Sequence, residues 1–142
     1  MSVQSAKAVW KGSLKEGSGN VELESKVYEG PYTFASRFEN AGGTNPEEWI
    51  AAAHAGCYTM FLSALLGKHN ITPEYLETTA KVHLGEGPSI TQIDLYLNAQ
   101  VSQASTELLH LLAQEAKEQC PISKALAAVP VIHLTVNILS PV

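Results

Sequence analysis

A chain of 142 residues is the size of one ordinary domain and can bury a core without metal or disulfide staples. Nine basic against fourteen acidic side chains give a net charge of −5 with no Lys/Arg cluster, which leaves no electrostatic footprint for nucleic acid. A hydrophobic fraction of 45% against 16% charged excludes disorder and suits a small subunit that buries part of its face in an oligomer. The N-terminal MSVQSAKAVWKGS has no apolar core of the length a secretory signal requires. A cytoplasmic location is therefore expected, where thiols stay reduced and the two cysteines are not read as a structural bridge.

In chain order, AKAVWKGSL and NVELE read as a hairpin around the turn-rich Glu16–Gly19. The run PYTFASRF (Pro31 to Phe38) alternates Tyr32, Phe34, Ser36 and Phe38 against Thr33, Ala35 and Arg37, the pattern of a strand with Arg37 opposite the aromatics. NAGGTNP breaks the chain, and Asn45-Pro46-Glu47-Glu48 starts a helix: Asn45 caps, Pro46 fills the first position, and Glu48 stands where a capping-box carboxylate reaches back. That helix runs from Pro46 to Leu66, ~30 Å, and Gly67 with Lys68 stops it. Trp49–Leu66 carries no charge and reaches the length of about 18 residues at which a membrane span must be considered. Dilution by Ala, Gly, Ser, Thr and His and the lack of flanking basic residues argue against a span. The expectation is a central helix covered by a sheet on one flank and by a partner subunit on the other.

TTAKVHL and ITQIDLYLNAQV form a second hairpin across Gly85–Ser89. Ser105 opens STELLHLLAQEAKEQ, where Leu108, Leu111, Leu112 and Glu115 follow helical spacing and Leu109 widens the stripe. CPISKALAAV reads as a short helix with Cys120 capping and Pro121 at its first position, before a last strand in VPVIHLTVNIL. The order predicts a single α+β domain over residues 1–142, without repeats.

Cys57 lies mid-helix among alanines, as a small core hydrophobe or as a nucleophile. Cys120 at a helix N-cap meets unpaired N–H groups and the positive dipole end, which favour thiolate. His54, one turn before Cys57, reads either as an activating base, as a metal ligand with Cys57 and Cys120, or as a packed histidine bonded to a neighbouring strand. His69, His83, His110 and His133 read as surface or strand positions. Glu48 and Cys57 stand ~180° apart around the helix and ~13 Å along it. If both are functional, a second copy of the chain supplies one of them, at a symmetric interface.

The segment SRFENAGGTNPEEWIAAAHAGCYTMFLSALL with the downstream CPISKAL resembles the OsmC family of hydroperoxide reductases, within the group that includes organic hydroperoxide resistance proteins. GTNPEE, the A-A-H-A-x-C run ending at Cys57 and the CP of Cys120–Pro121 carry the resemblance, which extends from Trp10–Gly12 to the last strand. Trp49 and Gly56 depart from the usual small aliphatic residue and alanine. The resemblance implies an intertwined homodimer, with two long central helices against wrapped antiparallel sheets and active sites at the subunit interface. It further implies Cys57 as peroxidatic and Cys120 as resolving cysteine, with Arg37 and Glu48 as the polar pair that positions and activates the thiolate.

On this reading the chain is a thiol peroxidase for organic hydroperoxides and hydrogen peroxide, acting in oxidative and osmotic stress defence. Cys57 forms a sulfenic acid, Cys120 condenses with it, and an external dithiol such as a lipoylated protein reduces the disulfide, with no cofactor and no metal. Burial alone would make the Cys57 thiol inert, so Arg37 is expected as the compensating cation. Trp49, Tyr58, Met60 and Phe61 are candidate walls of an apolar substrate pocket. The alternative is a non-enzymatic stress protein that binds a small apolar ligand and merely buries both cysteines.

Overall fold

The computed structural model describes residues 2–140. The chain divides into two compact units, one ending at Trp49 and one beginning at Ile50. In the first, β1 (Ala6–Lys11), β2 (Ser18–Leu23) and β3 (Glu29–Tyr32) form an antiparallel sheet in that order. Trp10, Gly19 and Tyr32 stand side by side across the three strands. Because Gly19 has no side chain, the two flanking rings close over it with centroids 5.3 Å apart. A Cβ at Gly19 would stand 2.6 Å from the Tyr32 ring, so the glycine is needed for this contact.

The strand expected through Pro31–Phe38 ends at Tyr32, and Phe34–Phe38 is a short helix, α1. The reason is a capping box that the alternation hides. Thr33 Oγ1 accepts from the Ser36 N–H at 3.0 Å, and Ser36 Oγ accepts from the Thr33 N–H at 2.8 Å. Helical spacing brings Phe34 and Phe38 together, centroids 4.8 Å apart, and Arg37 lies 5.2 Å from the Phe38 ring rather than opposite the aromatics.

Helix α2 (Pro46–Lys68) starts where expected. Asn45 Oδ1 accepts from the Glu48 N–H at 2.8 Å. The Glu48 carboxylate does not close the expected capping box; it accepts from Thr44 Oγ1 at 2.7 Å. At the other end Asn70 adopts the left-handed region at φ 59°, while the Ile71 N–H returns to Leu66 O and the Asn70 N–H to Gly67 O, both 3.0 Å. This is a Schellman closure built on asparagine.

The second unit holds β4 (Tyr75–Gly85), β5 (Ser89–Gln100) and β6 (Val131–Ile138), with helices α3 (Thr106–Gln119) and α4 (Pro121–Ala125) between β5 and β6. β4 and β5 pair antiparallel, as a tight hairpin must. β5 and β6 pair parallel, a departure from the expected all-antiparallel pattern, because α3 and α4 carry the chain back to the starting end of the sheet. Ser105 caps α3, accepting from the Leu108 N–H. Its core stripe is Leu109, Leu112, Ala113 and Ala116; Leu111, expected inside, is 66% exposed, so the buried face is rotated from the one read off the leucines.

Tyr58, Leu62, Leu65 and Leu66 of α2 pack with Ile93, Leu95, Leu97 and Ala99 of β5 and with the α3 stripe into one core. By length and composition α2 would suffice to cross a membrane. Here it is the helix around which the second unit is built: Tyr58 Oη donates to Ala113 O at 2.9 Å and Thr59 Oγ1 to Thr78 Oγ1 at 2.7 Å. Its opposite side, Ala52, Ala53, Gly56, Met60, Ser63, Ala64 and Gly67, is exposed.

Candidate active site

The second unit brings Cys57 and Cys120, from distant places in the sequence, close enough to influence one another though not to disulfide distance. α2 carries Cys57, half-buried; the turn between α3 and α4 carries Cys120, fully buried; both are free thiols. Cys120 is the N-cap of α4, as its position before Pro121 predicts, and its Sγ accepts from the Ser123 N–H at 3.3 Å. Burial pushes the Cys57 thiol above its ordinary range; the Ile122 backbone N–H opposes this, and the neighbouring Cys120 adds to it. An isolated chain therefore holds Cys57 as a thiol, and a nucleophilic role calls for a cation.

His54, with no exposed surface, bonds through Nε2 to Ser123 Oγ at 2.8 Å, and the Cys120 thiol donates to the same oxygen at 3.2 Å. The expected partner of a packed His54 was a strand; the observed partner is α4. Burial lowers the pKa of His54 below that of a free imidazole. Ser123, which links the two groups, was not singled out from sequence. The signal was available: position N3 of a helix is where a capping side chain finds its partner. Among the described residues, no group of three or more His, Cys, Asp or Glu side chains is placed to hold a metal ion.

In the first unit Arg37 meets Glu47, not Glu48. Its Nε donates to both carboxylate oxygens at 3.2 Å and its Nη2 to Oε1 at 2.7 Å, a bidentate pair. The Arg37 side chain is 34% exposed and that of Glu47 11%. The expected Arg37–Glu48 pairing is thus replaced by its neighbour, since Glu48 is engaged by Thr44 and Asn45 at the helix start. Ser36 Oγ donates to Thr44 O at 2.8 Å and Asn45 Nδ2 to Ser36 O at 3.2 Å, which fixes α1 and hence Arg37 against this turn. Beside Arg37 is a cleft of about 250 Å³ lined by Trp10, Leu14, Tyr32, Phe34 and Phe38.

The candidate wall residues fall elsewhere. Tyr58 is fully buried with its hydroxyl satisfied, which makes it a core residue. Phe61 packs against the same core, and Trp49 is half-buried with its ring 5.1 Å from Tyr28. Met60 is 76% exposed.

Comparison with known proteins bears on the whole arrangement. The family model described as OsmC-like protein matches residues 39–135. Peroxiredoxin OsmC of Escherichia coli is 43% identical over 125 residues, 85% of this chain and 87% of that protein. Organic hydroperoxide resistance protein-like 1 of Staphylococcus saprophyticus is 27% identical, over 76% of this chain and 79% of that protein. Among solved structures, an OsmC-like protein from Mycoplasma pneumoniae superposes with a TM-score of 0.76 at 16% identity, covering 98% of this chain and 99% of that one, a likeness of fold. With the family model spanning most of the sequence and a close relative aligned along nearly all of it, the chain belongs to the family of OsmC-like proteins.

Proposed function

We propose that the protein is a two-cysteine thiol peroxidase that reduces organic hydroperoxides, and hydrogen peroxide, in defence against oxidative and osmotic stress. The carrying observation is the juxtaposition of Cys57 with Cys120. The names of the relatives, a peroxiredoxin and an organic hydroperoxide resistance protein, support the same reading. The Cys57 thiolate attacks the distal peroxide oxygen, the O–O bond breaks, an alcohol leaves with a proton, and Cys57 becomes a sulfenic acid. The Cys120 sulfur then attacks the Cys57 sulfur and water leaves, giving a disulfide. Closing it draws the two sulfurs to about 2.05 Å. An external dithiol, such as a lipoylated protein, returns both thiols and is itself oxidised to a disulfide.

The chain works as one domain in the cytoplasm; the family match runs across the boundary at Trp49, which favours one functional domain. It acts as an intertwined homodimer. The exposed small-residue face of α2 from Ala52 to Gly67 is suited to a close approach of two copies, and Gly56 has no atom within 4 Å of where a Cβ would stand. We assign to Arg37, which Glu47 holds, the role of the cation that a buried Cys57 requires. Glu48 orders the helix start that positions Glu47.

Steady-state consumption of cumene hydroperoxide with a dithiol reductant tests the roles. Cys57→Ser is expected to abolish it, and Cys120→Ser to leave one oxidation event and block recycling. Undiminished turnover in either variant overturns the assignment.

A further inference from the structure

A histidine with no exposed surface, bonded through one ring nitrogen to a buried serine that in turn bonds a buried thiol, is unexplained by the peroxide step. His54 Nε2 lies 2.8 Å from Ser123 Oγ, and Ser123 Oγ lies 3.2 Å from Cys120 Sγ. His54 and Cys120 are fully buried and Ser123 nearly so. The Cys120 thiol already donates to Ser123 Oγ, so the serine is a ready acceptor for the proton that Cys120 loses. Among the described residues of one chain, His54 Nδ1 has no hydrogen-bond partner. A proton that reaches His54 therefore has one way out, back through Ser123.

We propose that Ser123 and His54 form a proton relay for the resolving step, with Ser123 as a catalytic residue in contact with the Cys120 sulfur and His54 as a positioning residue and proton store acting through it. The proposal rests on the two-cysteine reading above. The Cys120 S–H gives its proton to Ser123 Oγ while the Ser123 O–H proton passes to His54 Nε2. The Cys120 sulfur forms a bond to the Cys57 sulfur as the sulfenic S–O bond breaks. The departing hydroxide takes up one proton as His54 returns its own through Ser123, so one water is released. The Ser123 N–H, 3.3 Å from Cys120 Sγ, steadies the thiolate as it forms. Burial favours neutral His54, and in the tautomer protonated at Nδ1 its Nε2 accepts from the Ser123 hydroxyl.

Other titratable groups lie on the elements that carry the cluster. From α2 come Cys57 and Tyr58, whose hydroxyl is committed to Ala113 O and pushed far above the working range. Lys117 and Glu118 lie in the last turn of α3, half-buried and exposed, and Lys124 is exposed on α4. None of these is bonded to Ser123 or His54.

The test isolates the second step. Reduced protein is mixed with one equivalent of cumene hydroperoxide, acid-quenched at intervals, and the conversion of Cys57 sulfenic acid to the Cys57–Cys120 disulfide is followed by intact mass from pH 6 to 8. With an internal acceptor the wild-type rate is flat from pH 7 to 8, where a histidine with a lowered pKa is already neutral. Without one it rises by up to about tenfold per pH unit, because each thiolate then needs a proton lost to solution. His54→Gln keeps a side chain able to bond Ser123 but takes no proton; Ser123→Ala cuts the relay. Each is expected to slow disulfide formation about 100-fold and to restore the tenfold slope, with the loss falling on the second step. A wild-type rate that climbs tenfold per unit, or variants with a flat profile and wild-type rate, overturns the relay while leaving the two-cysteine reading intact. A wild-type protein that forms no disulfide overturns both. If either variant fails to fold, the wild-type profile and the other variant decide.

Discussion

Replacing Arg37 by Met keeps the apolar stem and removes the guanidinium, and with it both the ion pair with Glu47 and the cation–π contact to Phe38. Three N–H···O contacts join the pair, and Glu47 is left with a largely buried carboxylate once they go. A hydrogen bond to a charged group contributes about 1.5–3 kcal/mol when buried. With a third of the Arg37 side chain in solvent, screening reduces this, and the expected loss is about 1–2 kcal/mol. For a chain of this size that is about 3–6 °C in Tm. Glu47→Gln keeps an acceptor oxygen and is milder, and the double variant is less destabilised than the sum, by about 1 kcal/mol of coupling. Urea unfolding at one fixed protein concentration measures all four corners of the cycle, so that any effect of association cancels. Arg37→Met within about 0.3 kcal/mol of wild type, or additive single changes, refutes a functioning pair. If Arg37 also serves Cys57, peroxide consumption falls in the same variant while Arg37→Lys, a point charge that cannot bond bidentately, recovers only part of it.

Other outcomes follow from particular contacts. A Cβ at Gly56 has open space around it and leucine raises helix propensity, so Gly56→Leu is expected to keep the fold; if α2 packs against a second copy, gel filtration shows dissociation and turnover is lost, and an unchanged dimer refutes that face. Tyr58→Phe loses the bond to Ala113 O and is destabilised by about 1 kcal/mol in urea unfolding; no change means the hydroxyl contributes nothing. Asp94 has its pKa held down first by the bond from His83 and then by that from Gln92. A depressed carboxyl stabilises above its unfolded pKa near 3.8 and stops doing so as pH falls through the lower folded value. Asp94→Asn is therefore destabilising at pH 6 and progressively neutral below pH 3.8, measured by unfolding at both ends; a pH-independent loss refutes the linkage.

Much of the architecture was legible because it is local. Asn45-Pro46, Ser105 and Cys120-Pro121 announce helix starts through their own side chains, and both hairpins are marked by turn residues. Where two local signals compete, the strand-like alternation of Tyr32, Phe34, Ser36 and Phe38 in PYTFASRF conceals the Thr33–Ser36 box, because Ser36 belongs to both patterns. The leucines of α3 outnumber its alanines, so their spacing points to a stripe through Leu111, whereas the buried face runs through Leu109, Leu112, Ala113 and Ala116. At the site, the cysteines could be named but not brought together, since their meeting depends on α3 and α4 crossing back over the sheet. Adjacent glutamates are 100° apart on a helix, and only the turn that engages Glu48 decides that Glu47 meets Arg37. Ser123 became visible once His54 and Cys120 were found on either side of it.

The most direct test of the two-cysteine peroxidase is to treat reduced wild-type protein with one equivalent of cumene hydroperoxide, block free thiols, and map both cysteines by peptide mass spectrometry. The account predicts a stoichiometric disulfide between Cys57 and Cys120, formed rapidly and reversed by a dithiol. Recovery of both cysteines as blocked free thiols would contradict it and leave the fold as a scaffold for binding an apolar ligand.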